Sequence, residues 1–231
     1  MNSSGNIMKT HRITLENWEQ AARYIDETYA LPTSLVSKFS SLNCDKDAVS
    51  LGQLASKAWL MNSLKQHVQV PHSVTWAMLG SWYALLVPNL IKAWDCERIY
   101  GIDSEPANYY TSELLHDNWV QAEWRYKAVV SDCDILMCSD MQFVTSNELI
   151  RVKPEILINT SCEHMSNRWF TTADESQLII LQTNDQKQYQ GHINPCENME
   201  AVRAKYPMRT VYYSGELKTP AYTRYMLVGK K

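Results

Sequence analysis

Several absences narrow the field first. No window approaches the roughly 18 consecutive apolar residues that a membrane-spanning helix needs, so no span is predicted. Met1 to Thr14 is polar and lacks the apolar core of a secretory signal, so none is expected. The cysteines, at 44, 96, 133, 138, 162 and 196, are scattered and form no C-x-x-C pair, and the six histidines do not gather beside them. That argues against a disulfide framework or a structural zinc, and no metal is expected. It suits a reduced, cytoplasmic protein. Charge of one sign is also missing: the formal net charge is −3 and the pI about 6.1. Proteins that grip long nucleic acids draw much of their affinity from basic side chains on phosphates. The overall balance gives no sign of that, although a local basic patch is compatible with it. Glycine is sparse, 7 of 231 residues, and no G-x-G-x-x-G occurs. There is no internal repeat and no low-complexity segment.

What remains is an ordinary globular composition, 45% hydrophobic and 20% charged, of a length that suits one domain with or without an extension. The first third reads as helical. Residues 14–29 place Leu15, Trp18, Ala22, Ile25 and Tyr29 near one face, with Thr14 as the cap. A second helix follows Pro32 and a third runs from about Ser50 to Lys65. Residues 1–70 are therefore read as a helical extension or lid.

From Pro71 the pattern changes to short apolar runs alternating with helical stretches. Strands are predicted at Val74–Leu79, Arg98–Ile102, Tyr126–Val130, Glu155–Asn159 and Gln177–Gln182. Helices are predicted at Trp82–Trp94, kinked by Pro88, and at Pro106–Leu115. Such alternation predicts a parallel sheet with right-handed crossovers. Thr210–Leu217 and Tyr222–Gly229 are joined by a link too short for anything but an antiparallel pair. The fold predicted for 71–231 is thus α/β, a Rossmann-like doubly wound, mostly parallel sheet closed by an antiparallel C-terminal hairpin.

Such sheets bind ligands beyond the carboxyl ends of their strands. The first strand ends in Leu79-Gly80-Ser81-Trp82-Tyr83, where Gly80 permits a sharp turn close to a ligand. The second ends at Asp103, 23 residues on, the spacing of an acidic residue that holds a ribose hydroxyl pair. Asp103 also reads as a helix cap. After the third strand, Asp132 suits either an adenine amino group or a plain turn. After the fourth comes the densest polar run, Asn159-Thr160-Ser161-Cys162-Glu163-His164. Asn159 and Ser161 can orient a ligand, Glu163 and His164 can move protons, and Cys162 can attack if its pKa is lowered. The bland alternative is that Ser161 and Glu163 cap the next helix. After the fifth strand, Asn184 and the loop around His192 read as a pocket wall.

This order of signals resembles the class I S-adenosylmethionine-dependent methyltransferases. They carry a glycine turn after strand one, acidic residues after strands two and three, a polar catalytic segment after strand four and a C-terminal hairpin. The matching positions are Gly80, Asp103, Asp132, Asn159 to His164, and Val211 to Val228. The wording around Gly80 and Ile158-Asn159-Thr160-Ser161-Cys162-Glu163-His164-Met165 is also similar to uncharacterised methyltransferase-like proteins of phages and bacteria. The resemblance spans about residues 71–231. It implies S-adenosylmethionine held by Gly80, Ser81, Trp82, Asp103, Asp132, Asn159 and Ser161. It implies methyl transfer to a small-molecule or nucleotide acceptor, with Glu163, His164, Cys162 or His192 as catalytic groups. The Asn/Asp-Pro-Pro-aromatic segment of amino methyltransferases is absent, and Ser161-Cys162 stands where pyrimidine C5 methyltransferases have Pro-Cys, so no acceptor is assigned. Two other readings stay open: a nicotinamide-dependent oxidoreductase, and a non-catalytic S-adenosylmethionine-binding protein.

Overall fold

The computed structural model describes residues 9–122, 124–145 and 148–231. The first eight residues, part of the polar N-terminus and of the 1–70 extension, lie outside that set.

The sheet grows outward from its most apolar strands. Strands β2 (Thr75–Leu79), β3 (Arg98–Asp103), β4 (Tyr126–Val130), β7 (Ile156–Asn159) and β8 (Leu178–Asn184) run parallel. Every residue of β7 and β8 is buried. Strands covered on both faces have no solvent side and so read as continuous apolar runs. The hairpin of β9 (Thr210–Lys218) and β10 (Thr223–Lys230) follows, with β10 antiparallel to both β9 and β8. Strand β1 (His11–Thr14) adds parallel to β9, giving the order β1-β9-β10-β8-β7-β2-β3-β4.

Period-two alternation splits the core in two. Trp76, Met78, Ile99, Ile156, Ile158 and Ile180 face one cluster, while Ala77, Leu79, Tyr100, Leu157 and Ile179 face the other. The first face is covered by α1 (Trp18–Thr28), α3 (Leu51–His67) and α4 (Val87–Trp94). Helix α3 is buried around most of its circumference, between α1 and the sheet. Its polar atoms find partners there: Ser56 Oγ donates to Gln182 Oε1 at 2.7 Å, and Trp59 Nε1 to the Tyr213 hydroxyl at 3.0 Å. The second face is covered by α6 (Arg168–Thr171), α7 (Met199–Lys205) and a hairpin of β5 (Met141–Thr145) and β6 (Glu148–Val152). Helix α5 (Pro106–Leu115) packs on β4 and β3, and α2 (Thr33–Ser41) packs against α5.

Three local expectations are corrected. Thr14 ends β1 and caps nothing; Asn17 caps α1, its side chain accepting from Gln20 N–H at 2.9 Å. The helix after β2 does not start at Trp82. It starts at Val87, because Pro88 sits in the first turn, where its missing N–H costs nothing, rather than kinking a longer helix. Finally, β1, β5, β6 and α7 have no counterpart among the elements expected from the sequence.

Candidate active site

The strand order reverses between β2 and β7, where Leu79 pairs with Asn159. Just beyond, Ser161 Oγ donates to the Gly80 carbonyl at 3.2 Å, so the two strand ends are tied across the crevice. Gly80 has φ +61°, and a Cβ there would lie 2.8 Å from Met165 Cε and 3.1 Å from Ser161 Cβ. Left-handed backbone recurs at Trp82 and Ala84, so residues 80–86 form a coiled wall instead of a helix start. Two of the bonds that hold that wall come from the side chains of Asp103 and His116. Trp82 N–H donates to Asp103 Oδ2 at 2.8 Å, and His116 Nε2 donates to the Tyr83 carbonyl at 3.0 Å.

The wall borders a cleft of about 1080 Å³, roofed by residues of α3 and the turn before it. Of the sequence candidates, Gly80, Ser81, Trp82, Asp103 and Asp132 line one end, at β2, β3 and β4. Ser161, Glu163, His164 and His192 line the other, after β7 and β8. Asn159 and Cys162 do not reach it. Asn159 is fully buried and supports the edge, accepting from Ser161 N–H at 2.9 Å and donating to Met165 Sδ at 3.1 Å.

Asp103 does not cap α5. Its Oδ1 accepts from Glu105 N–H and Asn108 Nδ2, both at 3.0 Å, while α5 is capped by Glu105. Asp132 Oδ1 accepts from Asp134 N–H at 2.8 Å, as a turn residue does. Ser161 and Glu163 cap no helix, since neither the Cys162–His164 turn nor α6 has a side-chain cap.

Glu163 is buried, its Oε1 accepting from Asn184 Nδ2 at 2.6 Å and lying 3.6 Å from Arg224 Nη2. Its other oxygen has no partner. Arg224, also buried, donates from Nη1 to the Thr160 carbonyl at 3.1 Å. The His164 and His192 rings meet edge-on, centroids 4.5 Å apart. Burial pulls the His164 pKa below its ordinary value, only partly opposed by Glu163. Ligand atoms of Glu163, His164 and His192 lie within 4.8 Å of one another, the one such group among the described residues.

The nucleophilic reading of Cys162 fails on geometry. Its side chain is fully buried, packed in the second core cluster and within 3.6 Å of the Asn159 carbonyl. Burial pushes its thiol well up, and the neighbouring Glu163 pushes it further. A reactive cysteine needs the opposite environment.

Sequence reasoning missed Lys57 and Arg224, which both line the cleft. Lys57 comes from α3, and desolvation with Arg224 nearby pulls its ammonium down to about 7. Each left a trace: a charged residue inside an otherwise apolar helix or strand usually answers to a partner or a site.

No family model matches the sequence, and no curated protein matches it. Solved structures do match in shape. Magnesium protoporphyrin IX methyltransferase (ChlM) from Synechocystis PCC 6803, with bound SAH, aligns over 90% of this chain and 97% of its own, with TM-score 0.56 and 10% identity. The pyocyanin biosynthetic protein PhzM aligns over 84% and 61%, with TM-score 0.52 and 13% identity. A point mutant of MtNAS in complex with S-adenosylmethionine aligns over 92% and 77%, with TM-score 0.50 and 11% identity. At such identities the likeness is one of fold: the chain has the architecture of the class I S-adenosylmethionine-dependent methyltransferases, a mostly parallel Rossmann-like sheet with an antiparallel strand near one edge.

Proposed function

We propose that this chain is an S-adenosylmethionine-dependent methyltransferase. One observation carries the reading. A single cleft joins a carboxylate at the end of β3 to a cluster of proton-handling side chains after β7 and β8.

The residues present suit the cofactor. Gly80 makes the tight left-handed turn at the strand end that borders the cleft, where the Met165 and Ser161 side chains pack too close for a Cβ. Asp103 accepts three hydrogen bonds within the protein, and a carboxylate offers about four lone-pair sites, so it retains capacity for a ribose hydroxyl. Solved structures of the same fold hold S-adenosylmethionine or its demethylated product. The cofactor, when bound, supplies an electrophilic methyl group. The protein's own work is then to align an acceptor with it and exclude water. Glu163, His164, His192 and Lys57 border the acceptor side, and a neutral Lys57 or an imidazole there can take the proton the acceptor sheds. The acceptor is a small molecule or nucleotide that fits the remainder of the cleft.

Calorimetry against S-adenosylmethionine, S-adenosylhomocysteine, NAD and NADP tests this. The two sulfur ligands should bind and the nicotinamide ones should not. NAD binding without either sulfur ligand would overturn the proposal in favour of hydride transfer. S-adenosylmethionine binding with no transfer of labelled methyl to any acceptor in a metabolite extract would favour a non-catalytic binder.

A further inference from the structure

We infer that Glu163, His164 and His192 form a binding site for a divalent first-row transition-metal ion in the acceptor half of the cleft. The ligands arrive from two places in the chain. Glu163 and His164 are adjacent on the tight turn after β7, and His192 lies in the loop after β8. Their ligand atoms lie within 4.8 Å of one another. Ligands of one tetrahedral ion at zinc–nitrogen bond lengths stand about 3.4 Å apart, so rotamer adjustments of the side chains close the site.

Two further observations point to a cation. Glu163 is 2% exposed, yet its Oε2 has no hydrogen-bond partner. A buried, unpaired carboxylate oxygen is costly, and a metal ion answers that cost. Arg224 does not answer it, for it approaches Oε1 and only to 3.6 Å. The second observation is the hydrogen bond of His192. Its Nδ1 lies 2.7 Å from the Gln186 carbonyl. A carbonyl only accepts, so Nδ1 carries the proton and Nε2 presents its lone pair. Metal-binding histidines are oriented in this way by a backbone or carboxylate acceptor.

The donor set decides the class of ion. Two imidazoles and one carboxylate suit zinc, iron, cobalt or manganese, whereas magnesium and calcium favour all-oxygen shells. Three protein ligands leave positions open to the cleft. If the methyltransferase proposal holds, an oxygen of the acceptor takes one of them, and the ion lowers that oxygen's pKa. This last step rests on that proposal; the metal site itself does not.

The test is titration of the full chain, stripped with a chelator, with zinc, manganese, cobalt and magnesium chlorides, read by calorimetry and by thermal unfolding. Zinc, cobalt and manganese should bind at one ion per chain and raise the unfolding midpoint. Magnesium should do so far more weakly. His164→Gln and His192→Gln, both at non-core positions, should fold as the native chain does and weaken binding by roughly tenfold or more. Cobalt should give visible bands without the near-ultraviolet thiolate charge transfer that buried cysteines would produce. No stoichiometric binding, affinity unchanged in both variants, magnesium as tight as zinc, or a thiolate spectrum would each overturn the site. S-adenosylmethionine binding is measured separately, so loss of either proposal leaves the other standing.

Discussion

The backbone N–H of Trp82 donates to Asp103 Oδ2 across 2.8 Å, joining the turn after β2 to the end of β3. The same carboxylate holds Glu105 N–H and Asn108 Nδ2 through its other oxygen. Asp103 therefore shapes the wall of the cleft as well as facing it.

Asp103→Ala should weaken S-adenosylmethionine binding by about 1.5–3 kcal/mol, the scale of lost charge-assisted hydrogen bonds. Asp103→Asn keeps an acceptor for part of that network and should lose less. Calorimetry on both variants checks this, with circular dichroism to verify folding. Unchanged affinity in folded Asp103→Ala would make the residue a turn support alone.

Gly80→Ala should lower stability by about 1–2 kcal/mol, since φ of +61° is strained for any residue with a Cβ. The added methyl also meets Met165 and Ser161, so ligand affinity should fall with it. Denaturant unfolding and calorimetry read the two effects. A variant as stable as the native chain would show that the turn relaxes freely.

Glu163→Gln preserves the reach to Asn184 but removes the charge, so turnover should fall at least about a hundredfold with cofactor affinity near native. Cys162→Ser should keep turnover, because the sulfur does not reach the cleft. Turnover assays on both variants decide it. An inactive, folded Cys162→Ser would restore the covalent reading that the geometry removes.

Lys57 predicts a pH profile. Its neutral form grows as pH passes about 7, so turnover should rise through that range. Arg224 favours the neutral form and Asp47 opposes it. Lys57→Met should lose that rising limb. A profile unchanged by the substitution would rule Lys57 out as the proton acceptor.

His116 makes stability depend on pH. Burial pulls it down to about 4, and its Nδ1 has no partner to accept from an added proton. The unfolded chain binds that proton near 6.5, the folded chain only near 4. Stability should thus decline as pH falls from about 6.5 to about 4, by an amount on the order of 3 kcal/mol, and then level off. Unfolding curves of native protein and His116→Gln over this range test it; equal slopes would assign the acid sensitivity elsewhere.

Central strands are legible in the sequence because burial on both faces leaves unbroken apolar runs, as in Ile156–Asn159 and Leu178–Asn184. Asp103 is legible because strand, turn and spacing are local features. His11–Thr14 is not, since four residues of HRIT carry no strand pattern and take their order from the exposed side of β9. Residues 82–86 mislead because Pro88 marks either a kink or a beginning, and only packing distinguishes them. The meeting of Lys57, Glu163, His192 and Arg224 depends on four separate segments closing on one cleft, which no local window reports.

The pairing of β1 with β9 sets His11 beside Gly215, 204 positions further along. On a ribosome the early strand emerges long before its partner exists, and β10 must also be in place before β9 has its own inner neighbour. Docking of β1 therefore waits for the β9–β10 hairpin, and the loop that it closes spans the residues from 14 to 215. Until β9 and β10 emerge, the apolar faces of α1 and α3 lack the part of the sheet that covers them. Nascent chains stalled before residue 210 should accordingly be cut by protease within residues 9–67 at sites that the finished protein shields.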